Sequence, residues 1–421
     1  MTQRYNTYKE SGVQWLGEIP GHWKMLLNGI LFVEDVRKPK AEDIPLSLSQ
    51  VDGVIPTDEM KESSLKTSSY DNWKRVIVND LVLNRFKAHL GVMFASNYIG
   101  MVSFHYGVFK AKRELIPKYY EYLYHTNVYR FIYADASKGM TVGLQNLSNS
   151  SFYNVKAIYP PLEEQKEIVF YLDDRCGKID KLVEGKQKQI ELLAEMKQRI
   201  IADAVTRGLN PNVKMKATNI PWLKEIPEHW ESSTLRNFLR MFSIKNHGDK
   251  QLLSVTREQG VIVRDVESKE ENHNFIPDDL SGYKYVRVGD FVINKMKSWQ
   301  GSYGVSNYEG IVSPAYYTCK LEGVDRTFFS LAIRSKIYVS FFGRYSKGIR
   351  VDQWDLSPLA LKSIPFALPP LPEQRAIVSY LDNKCAKIDL LVEKLKVEIE
   401  AIKEYKQRLI SDVVTGQIKV C

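Results

Sequence analysis

The feature that most constrains this chain is that it is written twice. Trp15-Leu16-Gly17-Glu18-Ile19-Pro20-Gly21-His22-Trp23 returns as Trp222-Leu223-Lys224-Glu225-Ile226-Pro227-Glu228-His229-Trp230. Leu48-Ser49-Gln50 and Gly53-Val54-Ile55 match Val255-Thr256-Arg257 and Gly260-Val261-Ile262. Ser137-Lys138-Gly139 matches Ser346-Lys347-Gly348. The longest match, Pro160–Gly208 with Pro369–Gln417, has no gap and 27 of 49 positions identical. The period is far too long for a solenoid. The repeated unit has two parts: a divergent globular segment, then a better-matched charged one.

The matched segment reads as a helix. Pro161-Leu162-Glu163-Glu164-Gln165 and Pro370-Leu371-Pro372-Glu373-Gln374 put proline and acids where a helix begins. In the second copy Ile388, Leu395, Ile402 and Leu409 recur every seventh residue, with Val392, Ile399, Lys406 and Val413 between them. The first copy gives Ile179, Lys186, Leu193 and Ile200 with Val183, Ile190, Lys197 and Ala204. This is a heptad seam. Lys197 and Lys406 share one seam position: each fixes register, or each snorkels to water at the seam edge. About 44 residues at roughly 1.5 Å each predict a rod of about 66 Å. Neither rod buries its stripe alone, so the two are expected to pair as an antiparallel coiled coil.

The globular segments are mixed. Val76-Ile77-Val78 and Leu81-Val82-Leu83 read as strands about an Asn-Asp turn, as do Tyr285–Val288 and Phe291-Val292-Ile293 about Gly-Asp. Tyr119–Tyr133 and Phe328–Phe342 read as aromatic helices. The predicted class is α+β: tandem mixed domains at 1–159 and 211–368, with the matched long helices at 160–210 and 369–421. A chain of 421 residues, 44% hydrophobic and 26% charged, is ordinary globular protein. No apolar run reaches the roughly 18 residues of a membrane helix, and the N-terminus has no signal-peptide core. Four cysteines without a Cys-x-x-Cys pair point away from disulfides and zinc, so a cytoplasmic protein is expected.

Searches for chemistry return little. There is no phosphate-binding Gly-x-x-x-x-Gly-Lys-Ser/Thr loop, no His-Glu-x-x-His and no Gly-x-Ser-x-Gly. Ser313-Pro314-Ala315-Tyr316 lacks the amide or acid of an amino-group methyltransferase motif. Glu-x-Lys occurs at Glu59, Glu184, Glu195, Glu267 and Glu404, which is the background of a Lys/Glu-rich chain. His22 and His229 fit duplicated packing better than a site. Cys176 and Cys385, equivalent on the two rods, read as apolar packing. No metal ligands and no catalytic residues are expected.

The net charge is +9, with 28 basic against 25 acidic residues in 1–210 and 31 against 25 in 211–421. A basic excess shared by both halves favours a polyanion partner. The loops after the central strands are basic and aromatic in both copies. One offers Arg85, Lys87 and His89; the other offers Lys295, Lys297, Trp299 and Gln300. Arg and Lys neutralise phosphates or fork onto guanine, and Gln pairs with adenine. Lys138, Lys347, Arg344 and Arg350 form a second pair of basic turns, and Gln50 and Arg257 sit in the repeated early loop. For all of these, a solvated surface charge is the competing interpretation.

Taken together, these motifs resemble the specificity subunits of type I restriction–modification systems. The resemblance rests on the Trp-Leu-x-Glu-Ile-Pro-x-His-Trp pair, Pro369–Asp382 with its twin 160–173, and the helix ends Asp203-Ala204-Val205-Thr206 and Asp412-Val413-Val414-Thr415. It implies two target recognition domains, each reading half of a bipartite site on double-stranded DNA. It implies helices that hold two modification subunits, which carry S-adenosylmethionine and methylate adenine. Restriction subunits, using ATP and magnesium, would join to cleave; this chain itself would bind no cofactor and no membrane. Two other classes stay open: a coiled-coil scaffold without DNA specificity, and a stand-alone DNA-modifying enzyme.

Overall fold

The computed structural model describes residues 3–60, 70, 72–137, 146–220, 223–266, 276–277, 279–348 and 354–420. It divides into two units, 1–186 with 396–421, and 187–395. The division runs through both long helices, Leu162–Arg207 and Leu371–Val414, which have 46 and 44 residues.

In the first unit, Ile44–Ser49 and Gly53–Pro56 form a hairpin. Ile44–Ser49 also pairs in parallel with Gly100–Val102, and that strand pairs antiparallel with Lys74–Val76. The parallel approach is so close that a Cβ at Gly100 would collide with the Ile44 carbonyl oxygen. At its counterpart Gly310 a Cβ would lie 2.5 Å from the Gln251 carbonyl oxygen. A second, antiparallel sheet runs Phe32–Glu34, Tyr106–Ala111, Leu81–Asn84, Met93–Ala95.

The second unit repeats this plan. Its antiparallel sheet runs Leu239–Phe242, Tyr317–Leu321, Phe291–Ile293, Tyr303–Val305. Beside it stand the hairpin Leu253–Thr256/Gly260–Val263 and the pair Lys284–Val286/Gly310–Val312.

The central strands turn at Asn79-Asp80 and Gly289-Asp290, and each turn divides two sheets. Lys74–Val76 stays in one sheet while Leu81–Asn84 enters the other. The cause is the acid: Asp80 accepts from the Ile77 amide at 2.8 Å, and Asp290 from Arg287 at 2.8 Å. With Asn79 at φ 70° and Gly289 at φ 91°, each side chain closes the turn and redirects the chain. One expectation needs correction: each aromatic helix is two helices, Pro117–Tyr124 with Asn127–Ala136, and Arg326–Ile333 with Lys336–Tyr345. Thr126 breaks the first by capping: its hydroxyl accepts from the Tyr129 amide.

The cores show why the repeated motifs repeat. In the first unit Leu409, Ile410, Val413 and Val414 pack with Ile19, Trp23 and Tyr119. In the second, Ala204 and Val205 pack with Leu223, Ile226 and Trp230. Each Trp-Leu-x-Glu-Ile-Pro-x-His-Trp segment therefore covers a helix end, at Gly416 (φ 76°) in one unit and Gly208 (φ 74°) in the other. The glutamate of the helix start fastens the same segment. Glu164 accepts from His22 Nε2 at 2.6 Å and Trp23 Nε1 at 2.9 Å, and Glu373 contacts His229 Nε2 at 2.7 Å. The neighbouring glutamines clamp the domain: Gln165 accepts from the Ile116 amide and donates to the Pro160 carbonyl, as Gln374 does with Asp325 and Pro369.

Along the seam, Ile388, Ile399 and Leu409 are buried. Ile179, Val183, Ile190, Leu193, Ile200, Val392, Leu395 and Ile402 are half-buried. In the first unit Lys186 pairs with Glu398 at 2.5 Å and Lys406 with Asp180 at 2.6 Å, so the helices run antiparallel there. In the second, Lys197 pairs with Asp389 at 2.7 Å. Cys176 is buried and Cys385 half-buried, and burial pushes both thiols up.

Candidate nucleic-acid interface

In the second unit, the strand Phe291–Ile293 delivers a loop that folds back as one short helical turn, Ser298–Gln300. Asn294 starts it by accepting from the Met296 amide at 3.2 Å. Gly301 ends it at φ 94°. The segment after the second aromatic helix lies along this loop. The Leu356 amide donates to the Lys295 carbonyl at 3.1 Å, Ser298 and Ser346 hydroxyls are 3.3 Å apart, and Trp299 meets Trp354 at 5.2 Å. On the other flank the Arg257 carbonyl oxygen is 3.9 Å from where a Gly301 Cβ would be.

Arg257, Lys295, Lys297, Trp299, Gln300, Arg344 and Lys347 are thus carried on three adjoining segments. Arg257, Lys297, Arg344 and Lys347 are exposed; Lys295, Trp299 and Gln300 are half-buried. Lys295 pairs with Asp355 at 3.0 Å, and that hydrogen bond raises its pKa. A cleft of about 920 Å³ opens between Arg344, Lys347, Asp355, Ser357 and Leu359. Arg350 lies outside the described residues, as do Lys138 and the Glu-x-Lys sequences at Lys61 and Glu267.

In the first unit the equivalent loop is built alike, with a short helical turn Ala88–Leu90 and Gly91 at φ 76°. Its electrostatics differ. Arg85 donates to Glu34 at 2.7 Å and to Asn149 at 2.8 Å, and Lys74 also donates to Glu34 at 2.8 Å. Burial pushes the Glu34 carboxyl up, but hydrogen bonds from Lys74 and Asn149 and the Arg85 charge outweigh it and lower its pKa. Arg85 is therefore held within the fold, while Lys87 and Gln50 are exposed. His89 and Trp299 are repeat mates, and His89 Nδ1 and Trp299 Nε1 are each buried with no hydrogen-bond partner among the described residues.

Some residues were not singled out from sequence. Glu34 and Asp355 lack any motif. The Phe104 and His105 rings lie 3.8 Å apart, tilted by 36°, and Phe86, next to Lys87, is 5.7 Å from His105; both phenylalanines are exposed. Glu258 and Gln259 sit exposed beside Arg257; their polarity alone was the signal available. Among the described residues no group of three His, Cys, Asp or Glu could hold a metal ion, and no helix is long and apolar enough to cross a membrane.

Two units of one α+β plan, each including part of both long helices, make this a duplicated architecture. The family model of the type I restriction modification DNA specificity domain matches residues 45–192. Two curated relatives come from Methanocaldococcus jannaschii. The type I restriction enzyme MjaVIII specificity subunit is 27% identical over 295 residues, 66% of this chain and 65% of that protein. The putative type I restriction enzyme MjaX specificity subunit is 28% identical over 322 residues, 73% of this chain and 70% of that protein. The matched stretch thus spans about two thirds of the length of these relatives. Two solved structures share the fold. One, from work on assembly and conformational transition of the type I R-M system, has a TM-score of 0.65 at 15% identity and covers 94% of this chain and 98% of that one. The other, an HsdS subunit from Thermoanaerobacter tengcongensis, has a TM-score of 0.51 at 16% identity, covering 95% and 98%. The chain is thus similar in sequence to type I restriction enzyme specificity subunits over about two thirds of its length, and it shares the fold of the two solved structures.

Proposed function

We propose that this chain is the DNA-recognition subunit of a type I restriction–modification complex in the cytoplasm. It catalyses nothing itself. It directs two modification subunits, and restriction subunits with them, to a bipartite asymmetric site on double-stranded DNA. S-adenosylmethionine belongs to the modification subunits, and ATP and magnesium to the restriction subunits. The domain 1–159 reads one half-site and the domain 211–368 the other, with the helices at 160–210 and 369–421 between them. Because the two domains differ in sequence, so do the half-sites.

The observation that carries this reading is the convergence of Arg257, Lys297, Trp299, Gln300 and Lys347 on adjoining segments of one unit. Long donors of this kind are what phosphates and base edges require. Lys87 and Gln50 supply the corresponding groups in the first domain, where Arg85, paired with Glu34, shapes the loop. Lys138 and Arg350 complete the set of proposed DNA contacts, together with His89, Lys295 and Arg344.

The test is binding of the assembled methyltransferase to single-base variants of its site at several salt concentrations. Lys297→Ala should weaken all sequences alike and lower the salt slope by about one unit. Gln300→Ala should relax one position of one half-site, costing roughly 1–3 kcal/mol there. If both variants leave preference and salt slope unchanged, the loop does not face DNA. Methyl transfer by the rigorously purified single chain would return the stand-alone enzyme.

A further inference from the structure

Arg334 and His125 occupy the same place in the two repeats, each ending the first helix of its aromatic pair. Their surroundings have diverged together. In the first unit Phe94, the middle residue of its strand, lies 3.1 Å from where a Cβ at Gly53 would be, and meets the His125 ring edge-on at 4.6 Å. The counterpart of Phe94 is Gly304. Removing that ring brings strand against hairpin: a Cβ at Gly304 would lie 3.2 Å from the Gly260 Cα. It also leaves room for a longer side chain from the helix corner.

Arg334 takes that room. Its guanidinium donates to the Tyr303 carbonyl at 2.7 Å, the Arg257 carbonyl at 3.0 Å and the Glu258 carbonyl at 2.5 Å. No carboxylate pairs with it among the described residues, and burial works against its charge. A half-buried cation satisfied by backbone carbonyls alone is a costly arrangement unless those carbonyls need holding. The residues it holds are Arg257 and Glu258, in the three-residue turn that continues to Gln259, and all three side chains are exposed. Arg, Glu and Gln are the side chains that pair with guanine, cytosine and adenine edges. Both turns are tied locally, by Ser49, whose hydroxyl accepts from the Val51 amide at 3.2 Å, and by Thr256, whose hydroxyl accepts from the Gln259 amide at 3.2 Å; among the described residues only the second domain adds the arginine clamp.

We infer that Arg334 is a positioning residue for sequence reading by the second domain: it fixes the backbone of the turn Arg257–Gln259 against the helix corner, so that the turn's side chains meet base edges, and touches no DNA itself. This rests on the DNA-reading role proposed above.

The experiment uses the assembled methyltransferase carrying Arg334→Met, and separately Arg334→Lys, which keeps the charge but not the three-way fork. Binding to single-base variants of the site should show discrimination falling about tenfold or more at positions of one half-site. The other half-site and the salt slope should stay unchanged, and the lysine variant should fall between. A salt slope reduced by about one unit with all sequences weakened alike would make Arg334 a phosphate contact and overturn the inference. Unchanged discrimination in both variants would overturn it too. Amide hydrogen exchange on the full chain covers the case of a variant that assembles poorly: exchange at 257–260 should rise while that of 291–293 and 317–321 does not. Equal protection in wild type and variant would contradict the clamp. If the unmodified complex itself shows no sequence preference, the DNA-reading role fails, and the exchange result still decides whether Arg334 holds the turn.

Discussion

Lys197 donates to both carboxylate oxygens of Asp389, at 2.7 and 2.8 Å, and its repeat mate Lys406 does the same to Asp180, at 2.6 and 2.8 Å. Asp180 and Asp389 are themselves repeat mates. Each copy's lysine therefore finds the other copy's aspartate, a reciprocal exchange that only one alignment of the two helices allows. These aspartates are 61% and 60% exposed, so each pair contributes little stability, about 0–1 kcal/mol. Fixing register is the attested use of a polar seam residue, and snorkelling to water at the seam edge is the competing one.

Replacing both lysines with leucine should accordingly raise stability. Two leucines at half-buried seam positions should add about 1–2 kcal/mol in total, read as a higher midpoint by calorimetry. A lower midpoint would mean that the ion pairs stabilise more than burial does.

Seam burial separates neighbouring residues sharply. Ile399 is 5% exposed and Val397 62%. Ile399→Asp should cost about 3 kcal/mol or more in urea unfolding because it buries an unpaired charge. Val397→Asp should stay within about 0.5 kcal/mol. Equal costs for the two would remove the heptad assignment.

Acid should loosen the first unit through two carboxylates. Glu164 is pushed up by burial, but hydrogen bonds from Trp23, His22 and Tyr5 lower its pKa below 4.5, and Glu34 is lowered likewise. Folding therefore favours the ionised forms. Their stabilisation is complete above about pH 4.5 and is lost as pH falls through the lowered values. Glu164→Gln should cost about 1–2 kcal/mol at pH 7, and its gap from the unaltered chain should narrow as pH falls below 4.5. A gap that persists at low pH would show that shape, not charge, fastens the His22-Trp23 segment.

The helices were legible because heptad spacing is a local property: every seam position named from sequence is buried or half-buried. The repeated Glu-Ile-Pro-x-His-Trp and Pro-x-Leu-x-Glu-Gln motifs were visible as motifs, yet nothing local says that Glu164 meets Trp23, 141 residues away. The strands at 76 and 81 were legible with their turn, but a turn residue does not say that the next strand joins another sheet. In the candidate interface the same limit applied. Arg85 and Lys295 read alike in sequence, but Glu34 and Asp355, which pair with them, come from distant segments. Arg334 carried no signal, since its role depends on the glycine at 304 as much as on itself.

The most direct test of the account is a methylome of cells carrying this chain with its cognate modification subunit, repeated with residues 211–368 exchanged for those of another specificity subunit. The account predicts adenine methylation in a split, asymmetric motif, with the exchange altering one half and leaving the other as it was. An unsplit motif, or an exchange that alters both halves together, would contradict it.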